Sequence, residues 1–361
     1  MKYIKLKELV TINPENINKN YPYNGIKYLD TANITNGKID TIVDINIKDI
    51  PSRAKRIVKQ NDIVYSTVRP NLCHYGLLRD VEENLIVSTG FVVIRCNLDK
   101  VLPEYLYAYL TLPEITIKLH SIAETSTSAY PSIKPSDIEN LEIPLPTIEE
   151  QKRISKILSV LDLKMNLNTK TNDNLYKIIK TQYDKFINNI DEYELVKLKD
   201  IANIGSGKRP KIKGNDFNIP LIGASGVMAY TDNYNFNEDI LIIGRVGTLG
   251  VVQRYFDKIW ASDNTLTIKT EFSSAVECYL KTVDYISLNR GSTQPLITQT
   301  DISNLELKFN KLKFGEFENQ IRPLRDKIYK NELQNETLEQ LRDTLLPKLM
   351  NGEIDLDKIE I

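Results

Sequence analysis

Two kinds of hydrophobic pattern alternate along this chain, and the pair of them occurs twice. The first consists of short β-branched runs, Ile63 to Tyr65, Leu85 to Val87 and Phe91 to Ile94, then Ile240 to Ile243 and Thr265 to Ile268, separated by Gly, Pro and Asn. Runs this short with that punctuation predict strands of an α+β domain. The second kind is a stripe. After Pro144 and Pro146, Thr147-Ile148-Glu149-Glu150 reads as a capping box, the threonine accepting from the amide three residues on and Glu150 reaching back. Beyond it Leu158, Leu161, Met165, Asn168, Asn172, Leu175 and Ile179 fall at alternating three- and four-residue steps, with Phe186 a heptad past Ile179. Leu324, Ile328, Asn331, Asn335 and Leu338 repeat those steps, followed by Leu341, Leu345 and Leu349. A narrow stripe at this spacing predicts coiled-coil helices, and an Asn in the seam lowers stability while fixing register.

The repetition extends to particular residues. Leu6-Lys7-Glu8-Leu9-Val10 returns as Leu198-Lys199-Asp200-Ile201-Ala202, and Asp62-Ile63-Val64-Tyr65 with Val68 and Arg69 is echoed by Asp239-Ile240-Leu241-Ile242 with Arg245 and Val246. Ser88 and Tyr105-Leu106 align with Ser262 and Tyr279-Leu280. Ser128-Ala129-Tyr130-Pro131-Ser132-Ile133 aligns with Ser292-Thr293-Gln294-Pro295-Leu296-Ile297, and each then reaches a helix, containing Gln151 or Gln320. Matches in a constant order define two copies of one module. The chain therefore divides into a globular domain over 1–145, a long helix over 146–191, a second domain over 192–315, and a second long helix with its tail over 316–361. The expected fold is α+β: two similar domains with a pseudo-twofold internal repeat, separated by two long helices paired as an antiparallel coiled coil. Helices of roughly 35–40 residues make a rod about 50–60 Å long, with the globular domains expected at its ends.

Composition narrows the chemistry. With 47 Lys and Arg against 48 Asp and Glu the net charge is −1, so any nucleic-acid surface must be a local patch. The three cysteines, Cys73, Cys96 and Cys278, are far apart, and the lysine-bearing start Met1-Lys2-Tyr3-Ile4-Lys5 lacks a signal peptide's apolar run. A reducing, cytoplasmic location is expected, with no membrane span. His74 and His120 stand at no metal-ligand spacing from a second His, and Cys73 beside His74 points to the opposite face of an extended segment, so no metal site is expected. Gly205-Ser206-Gly207-Lys208 is too short for a phosphate loop, and Asn13-Pro14-Glu15-Asn16 lacks the second proline and aromatic residue of an amino-methyltransferase pocket. No catalytic residue is assigned, and no cofactor is expected in this chain.

What remains is a set of polar and basic loops. Arg53, Lys55, Arg56 and Lys59 lie in an acid-free stretch from Pro51 to Asn61; Lys208, Arg209, Lys211 and Lys213, with Ser206, occupy another from Gly205. Such clusters neutralise phosphates, and arginine can fork onto a guanine edge. The two clusters are not at equivalent places in the repeat. A second pair of segments combines small hydroxyls with a large planar side chain: Ser126, Thr127, Ser128 and Tyr130 in one copy, Arg290, Ser292, Thr293 and Gln294 in the other. The loops after the matched strands form the third pair, Arg69-Pro70-Asn71 with the preceding Ser66, and Arg245-Val246-Gly247-Thr248. These residues are the candidate DNA contacts. Solvated surface loops would give the same pattern on a coiled-coil adaptor that binds proteins, and that reading stays open.

The order of parts carries a resemblance. A domain followed by a Pro-Leu-Pro run into Thr147-Ile148-Glu149-Glu150-Gln151-Lys152-Arg153-Ile154, then a second domain and a helix ending Leu345-Leu346-Pro347-Lys348-Leu349-Met350-Asn351-Gly352-Glu353-Ile354, resembles the DNA specificity subunit of Type I restriction-modification systems over essentially the whole chain. The second copy departs from the pattern, with Leu307-Lys308-Phe309-Asn310 in place of Pro-Leu-Pro. The resemblance implies two target-recognition domains reading the halves of a split double-stranded DNA sequence. It also implies partners: two methyltransferase subunits that carry S-adenosylmethionine and modify adenine at N6, and two restriction subunits that translocate and cut. On that reading this chain is non-catalytic.

Overall fold

The structure, a computed structural model, describes residues 3–18, 20–125, 130–214, 217–291 and 293–356. The chain forms two compact units, Met1–Leu167 with Leu333–Ile361, and Asn168–Glu332. In the first unit the strands are β1 (Tyr3–Lys5), β2 (Val10–Ile12), β3 (Gly25–Leu29), β4 (Ile34–Thr35), β5 (Lys38–Ile39), β6 (Val43–Asn46), β7 (Ala54–Ile57), β8 (Ile63–Ser66), β9 (Tyr75–Leu77), β10 (Leu85–Ser88), β11 (Phe91–Cys96) and β12 (Glu142–Pro144). Its helices are α1 (Pro103–Leu110), α2 (Pro113–Glu124) and α3 (Pro135–Glu139), and α4 (Ile148–Asn188) begins there. Each of the first three carries proline in its first turn, where the missing N–H has no partner to lose. Two four-stranded sheets, ordered β6-β3-β10-β7 and β2-β11-β8-β9, make the globular part, and β1 pairs with β12.

The second unit repeats this topology. Its strands are β13 (Glu194–Lys197), β14 (Asn203–Ser206), β15 (Ile219–Gly223), β16 (Gly226–Thr231), β17 (Phe236–Asn237), β18 (Ile240–Gly244), β19 (Val252–Tyr255), β20 (Lys258–Ala261), β21 (Thr265–Lys269) and β22 (Glu306–Phe309), with helices α5 (Leu198–Ile201), α6 (Ser273–Leu280), α7 (Gln299–Ser303) and the start of α8 (Lys311–Met350). The sheets run β16-β15-β20-β17 and β14-β21-β18-β19, and β13 pairs with β22. Even the parallel pairing recurs, β10 on β3 and β20 on β15. Helix α2 is particular to the first copy among the described residues.

Buried strands such as Ile63-Val64-Tyr65 and Ile240-Leu241-Ile242-Ile243 are apolar without alternation because both of their faces are covered. Fully burying one such side chain contributes roughly 1.5–3 kcal/mol. The pairing also corrects part of the sequence alignment. Tyr109 Oη donates to the Glu142 carbonyl at 2.7 Å and Tyr279 Oη to Glu306 at 2.8 Å, so Tyr279-Leu280 matches Tyr109-Leu110 and not Tyr105-Leu106.

The two long helices run antiparallel within each unit. In the first, Arg342 Nη1 lies 3.6 Å from Asp162 and Asn335 Nδ2 donates to the Met165 carbonyl. In the second, Asn331 Nδ2 donates to Asn172 Oδ1 at 2.7 Å, Asn172 Nδ2 to the Ile328 carbonyl, and Phe186 meets Phe314 and Phe317 edge-on and stacked. Of the proposed seam positions, Leu158, Asn168, Asn172, Ile179, Ile328 and Asn331 are buried, and Leu161, Met165, Leu175, Leu324, Asn335 and Leu338 half-buried. Leu341 departs from the expectation, being 43% exposed; Arg342 takes its place toward α4.

The helix ends follow side-chain chemistry. At α4 the Thr147 amide donates to Glu150 at 2.8 Å while the Glu150 amide donates to Thr147 Oγ1, the capping box. Helix α8 starts at Lys311, inside the segment assigned to the second domain, because Asn310 Oδ1 accepts from the Lys313 amide and caps it without a proline. The seam therefore extends back through Phe314, Phe317 and Ile321, all buried. Helix α8 ends at Gly352, φ +70°, in a Schellman motif: the Glu353 amide donates to Lys348 and that of Gly352 to Leu349. Among the described residues no helix is long and apolar enough to cross a membrane.

Candidate nucleic-acid interface

In each copy the polar segments are drawn to one place, the turn joining the last two central strands. In the first copy this turn is 88–90. The Thr67 amide donates to the Gly90 carbonyl at 2.8 Å, Thr89 donates to Arg53 at 2.7 Å, and buried Ser88 Oγ accepts from the Gly90 amide. The loop after β8 then crosses to the segment before α3: Ile133 donates to Thr67 at 2.9 Å, Arg69 to Pro131 at 2.9 Å, and Val68 bridges Ser132. Arg53, Arg69 and Tyr130 thus stand exposed around one turn, the Arg69 guanidinium 5.5 Å from the Tyr130 ring.

The second copy uses the same frame with different chemistry. Its turn is 262–264, where the Arg245 amide donates to Asn264 at 3.0 Å. Ile297 donates to Arg245, Gly247 to Pro295 at 3.0 Å, and Val246 bridges Leu296. The basic loop arrives from β14, a different strand from the one carrying Arg53, yet lands beside this turn. Gly207 donates to Thr265, Lys208 donates to Ala261 at 2.9 Å, and Trp260 Nε1 donates to the Lys208 carbonyl at 2.6 Å. A Cβ on Gly207 would run into the carbonyl oxygens of Ala261 and Ser262, so this close approach requires glycine.

The match of bridges fixes the equivalence of the two arginine loops. Thr67 occupies the place of Arg245, and Arg69 the place of Gly247. The arginines are therefore not counterparts, and the alignment through Asp62 and Asp239, which sets Arg69 opposite Val246, is one residue out. A run of buried strand residues offers no landmark against a one-residue slip; only the bridges to Pro131 and Pro295 decide it.

With this geometry in hand, similarity to known proteins becomes informative. The family model of the Type I restriction modification DNA specificity domain matches residues 1–177 and again 190–341. The chain belongs to this family. The Type I restriction enzyme HindI specificity subunit of Haemophilus influenzae is 32% identical over 179 residues, 49% of this chain and 39% of that subunit. The MjaIX specificity subunit of Methanocaldococcus jannaschii is 24% identical over 366 residues, 88% of this chain and 83% of that one. The Type I restriction-modification S subunit from M. genitalium superposes with a TM-score of 0.55 at 16% identity, over 97% of this chain and 96% of the other, a likeness of fold.

Within this specificity-domain frame the candidate residues separate into exposed ones and ones engaged in holding the fold. Lys55, Asn71, Ser206, Lys208, Arg209, Lys211, Lys213, Thr248, Thr293 and Gln294 are exposed, as are Arg53, Arg69 and Tyr130. Ser66 is not available as a contact: it is 2% exposed and its hydroxyl turns back onto the Val68 backbone. Arg56 Nε donates to the Phe91 carbonyl at 3.0 Å, and burial lowers its pKa. Arg290 forks onto Asp301, 2.9 and 3.0 Å from Nε, so it holds the first turn of α7. Asp301 in turn sits below the usual carboxylate range: burial pushes it up, but Arg290 and Thr298 more than offset that. Ser126, Thr127, Ser128 and Ser292 lie outside the described residues.

The sequence reading missed Trp260, the chain's single tryptophan, whose indole holds the basic loop. Its placement two residues before the matched Ser262 was the available signal. Burial raises the thiols of Cys96 and Cys278 to about 12, which keeps both protonated and unreactive at neutral pH. Among the described residues no group of three His, Cys, Asp or Glu side chains is placed to hold a metal ion.

Proposed function

We propose that this chain is a non-catalytic specificity subunit that reads a split double-stranded DNA target, one half with each domain. In this reading it positions two adenine-N6 methyltransferase subunits, which carry the S-adenosylmethionine, and two restriction subunits, in the cytoplasm. The observation that carries it is the convergence, in both copies, of basic and planar side chains, exposed except for the half-buried Trp260 and Arg245, on the same turn of the same scaffold. Arg53, Arg69 and Tyr130 in the first copy are replaced by Lys208, Trp260, Arg245 and Gln294 in the second. A repeated frame with unlike side chains suits two unlike half-sites, since frame contacts to phosphate position while side chains on base edges specify.

The test is a methylome. The chain is expressed with its methyltransferase subunit in a host free of DNA methylation, and N6-methyladenine is read by long-read sequencing. The expected result is one split motif with a fixed gap that vanishes when this chain is omitted. Co-purification of the two proteins without any motif, when the methyltransferase is active with another specificity subunit, would point to a protein-binding adaptor instead.

A further inference from the structure

We propose that Arg69 reads a guanine in the half-site of the first domain, held in position by the Tyr130 ring. This rests on the function proposed above and adds a residue, a base and a reason for both. Arg69 has φ +47° and ψ 68°, the left-handed region. The equivalent residue of the second copy, fixed by the matching bridges to Pro131 and Pro295, is Gly247 at φ +82°. The frame thus demands a left-handed residue at this point, and one copy meets the demand with the residue that adopts it freely. The other places a long, branched cation there against its backbone preference. A strained residue persists when its side chain is needed and its surroundings hold it.

Those surroundings are rigid. The Leu72 and Cys73 amides close a 3-10 turn onto Arg69 and Pro70, Pro70 is buried, and the turn packs on α2. Three of the other arginines of this domain are engaged by the protein, Arg56 by a backbone carbonyl, Arg95 by Asp62 and Glu15, and Arg79 by Glu104, while exposed Arg53 precedes β7 with Asp30 4.0 Å away. The exposed guanidinium of Arg69 has no acceptor among the described residues and faces only the Tyr130 ring. A phosphate contact is served by any flexible lysine. A planar fork fixed by backbone and ring instead matches the adjacent N7 and O6 acceptors that guanine presents in the major groove.

The experiment uses the complex of this chain with its methyltransferase subunits and duplexes in which each pair of both half-sites is permuted. Wild type should prefer G·C at one position of one half-site by roughly tenfold to a hundredfold. Arg69→Gly suits the backbone, so the melting transition should stay in place while that single preference collapses and every other position keeps its own. Arg69→Lys should retain affinity and lose the same preference. Two results would overturn the assignment: preferences untouched in both variants, or affinity lowered equally for every duplex with a shallower salt dependence, the mark of a phosphate contact. Wild type lacking any sequence preference would overturn the proposed function itself, and this assignment with it.

Discussion

At the start of α4, Gln151 is fully buried and bonds entirely to backbone, accepting from Leu102 at 2.9 Å and donating to Lys100 and Pro146. Seven residues on, Leu158 closes the contact among hydrocarbon from both long helices. At the start of α8 Phe314 and Ile321, both buried, hold those two places counted from the caps at Thr147 and Asn310, and the polar contacts lie one turn further on and are charged. Glu318 accepts from the Ala275 amide at 2.8 Å, and seven residues on stands Arg325, 6% exposed, with Nη2 2.6 Å from Glu277. Glu277, 2% exposed, also meets Lys281 at 2.7 Å and Arg254 at 3.4 Å; its counterpart in α1 is Tyr107. One backbone junction thus accepts either an amide with apolar packing or a closed set of ion pairs. What it does not accept is half of either solution, because an unpaired buried charge is far costlier than a missing methyl group.

The largest effect should follow from opening the ionic set. Glu277→Gln leaves Arg325 and Arg254 buried without their shared carboxylate, and the second unit should lose about 3–5 kcal/mol. Denaturant unfolding followed by fluorescence reads this selectively, since the only tryptophan, Trp260, lies in that unit. Glu277→Leu with Arg325→Leu, which removes both ends of the closest ion pair, should recover most of the loss. A double variant as unstable as the single one would show that the charge left unpaired is not the source of the loss.

The helix pair offers a second, smaller contrast. In the second unit Asn331 donates to Asn172, whose own amide donates to the Ile328 carbonyl, and both are buried; in the first Asn335 donates likewise to the Met165 carbonyl but is half-buried. Asn331→Leu strips Asn172 Oδ1 of its donor inside a buried seam and should cost about 1–3 kcal/mol. Asn335→Leu acts at a half-buried position, where water reaches the groups left behind, and should cost less. Equal losses measured by denaturant titration would sink the distinction.

Much of this architecture is legible in the residues, and the failures share a cause. The repeat, the capping box at Thr147 and the three-four stripe depend on local spacing, which a sequence displays directly. The repeat reads Gln320 as answering Gln151, but counted from the caps at Thr147 and Asn310 that place belongs to Phe314, because where each helix begins is set by the side chain that caps it. Aligning Asp62 with Asp239 brings Arg69 within one residue of Arg245, although those carboxylates serve different arginines, Arg95 and Arg254. Arg56, Ser66 and Arg290 carry DNA-contact chemistry by type, yet the fold uses each for its own backbone or cap. Side-chain type announces what a residue can bond; only packing decides what it does bond.

The smallest expected effect concerns pH, and its sign differs between two carboxylates of one junction. Burial pushes Glu318 above the ordinary value of 4.5, only partly offset by the Ala275 amide. Burial also acts on Glu277, but Arg325, Lys281 and Arg254 outweigh it and hold that carboxyl below 4.5. A raised carboxyl opposes folding while ionised, and protonating it relieves that; a lowered one supports folding, and the support is lost as pH falls through its folded pKa. Acidification from neutrality should therefore first strengthen the second unit slightly, as Glu318 takes its proton, and weaken it below about pH 4.5 as Glu277 and Asp301 are titrated. In the first unit the polar contact at this junction is made by Gln151, which does not titrate. Glu318→Gln should flatten the upper part of the curve and leave the acid limb intact, read as the Trp260 unfolding midpoint against pH. A wild-type midpoint that declines steadily from neutrality would refute the opposed signs.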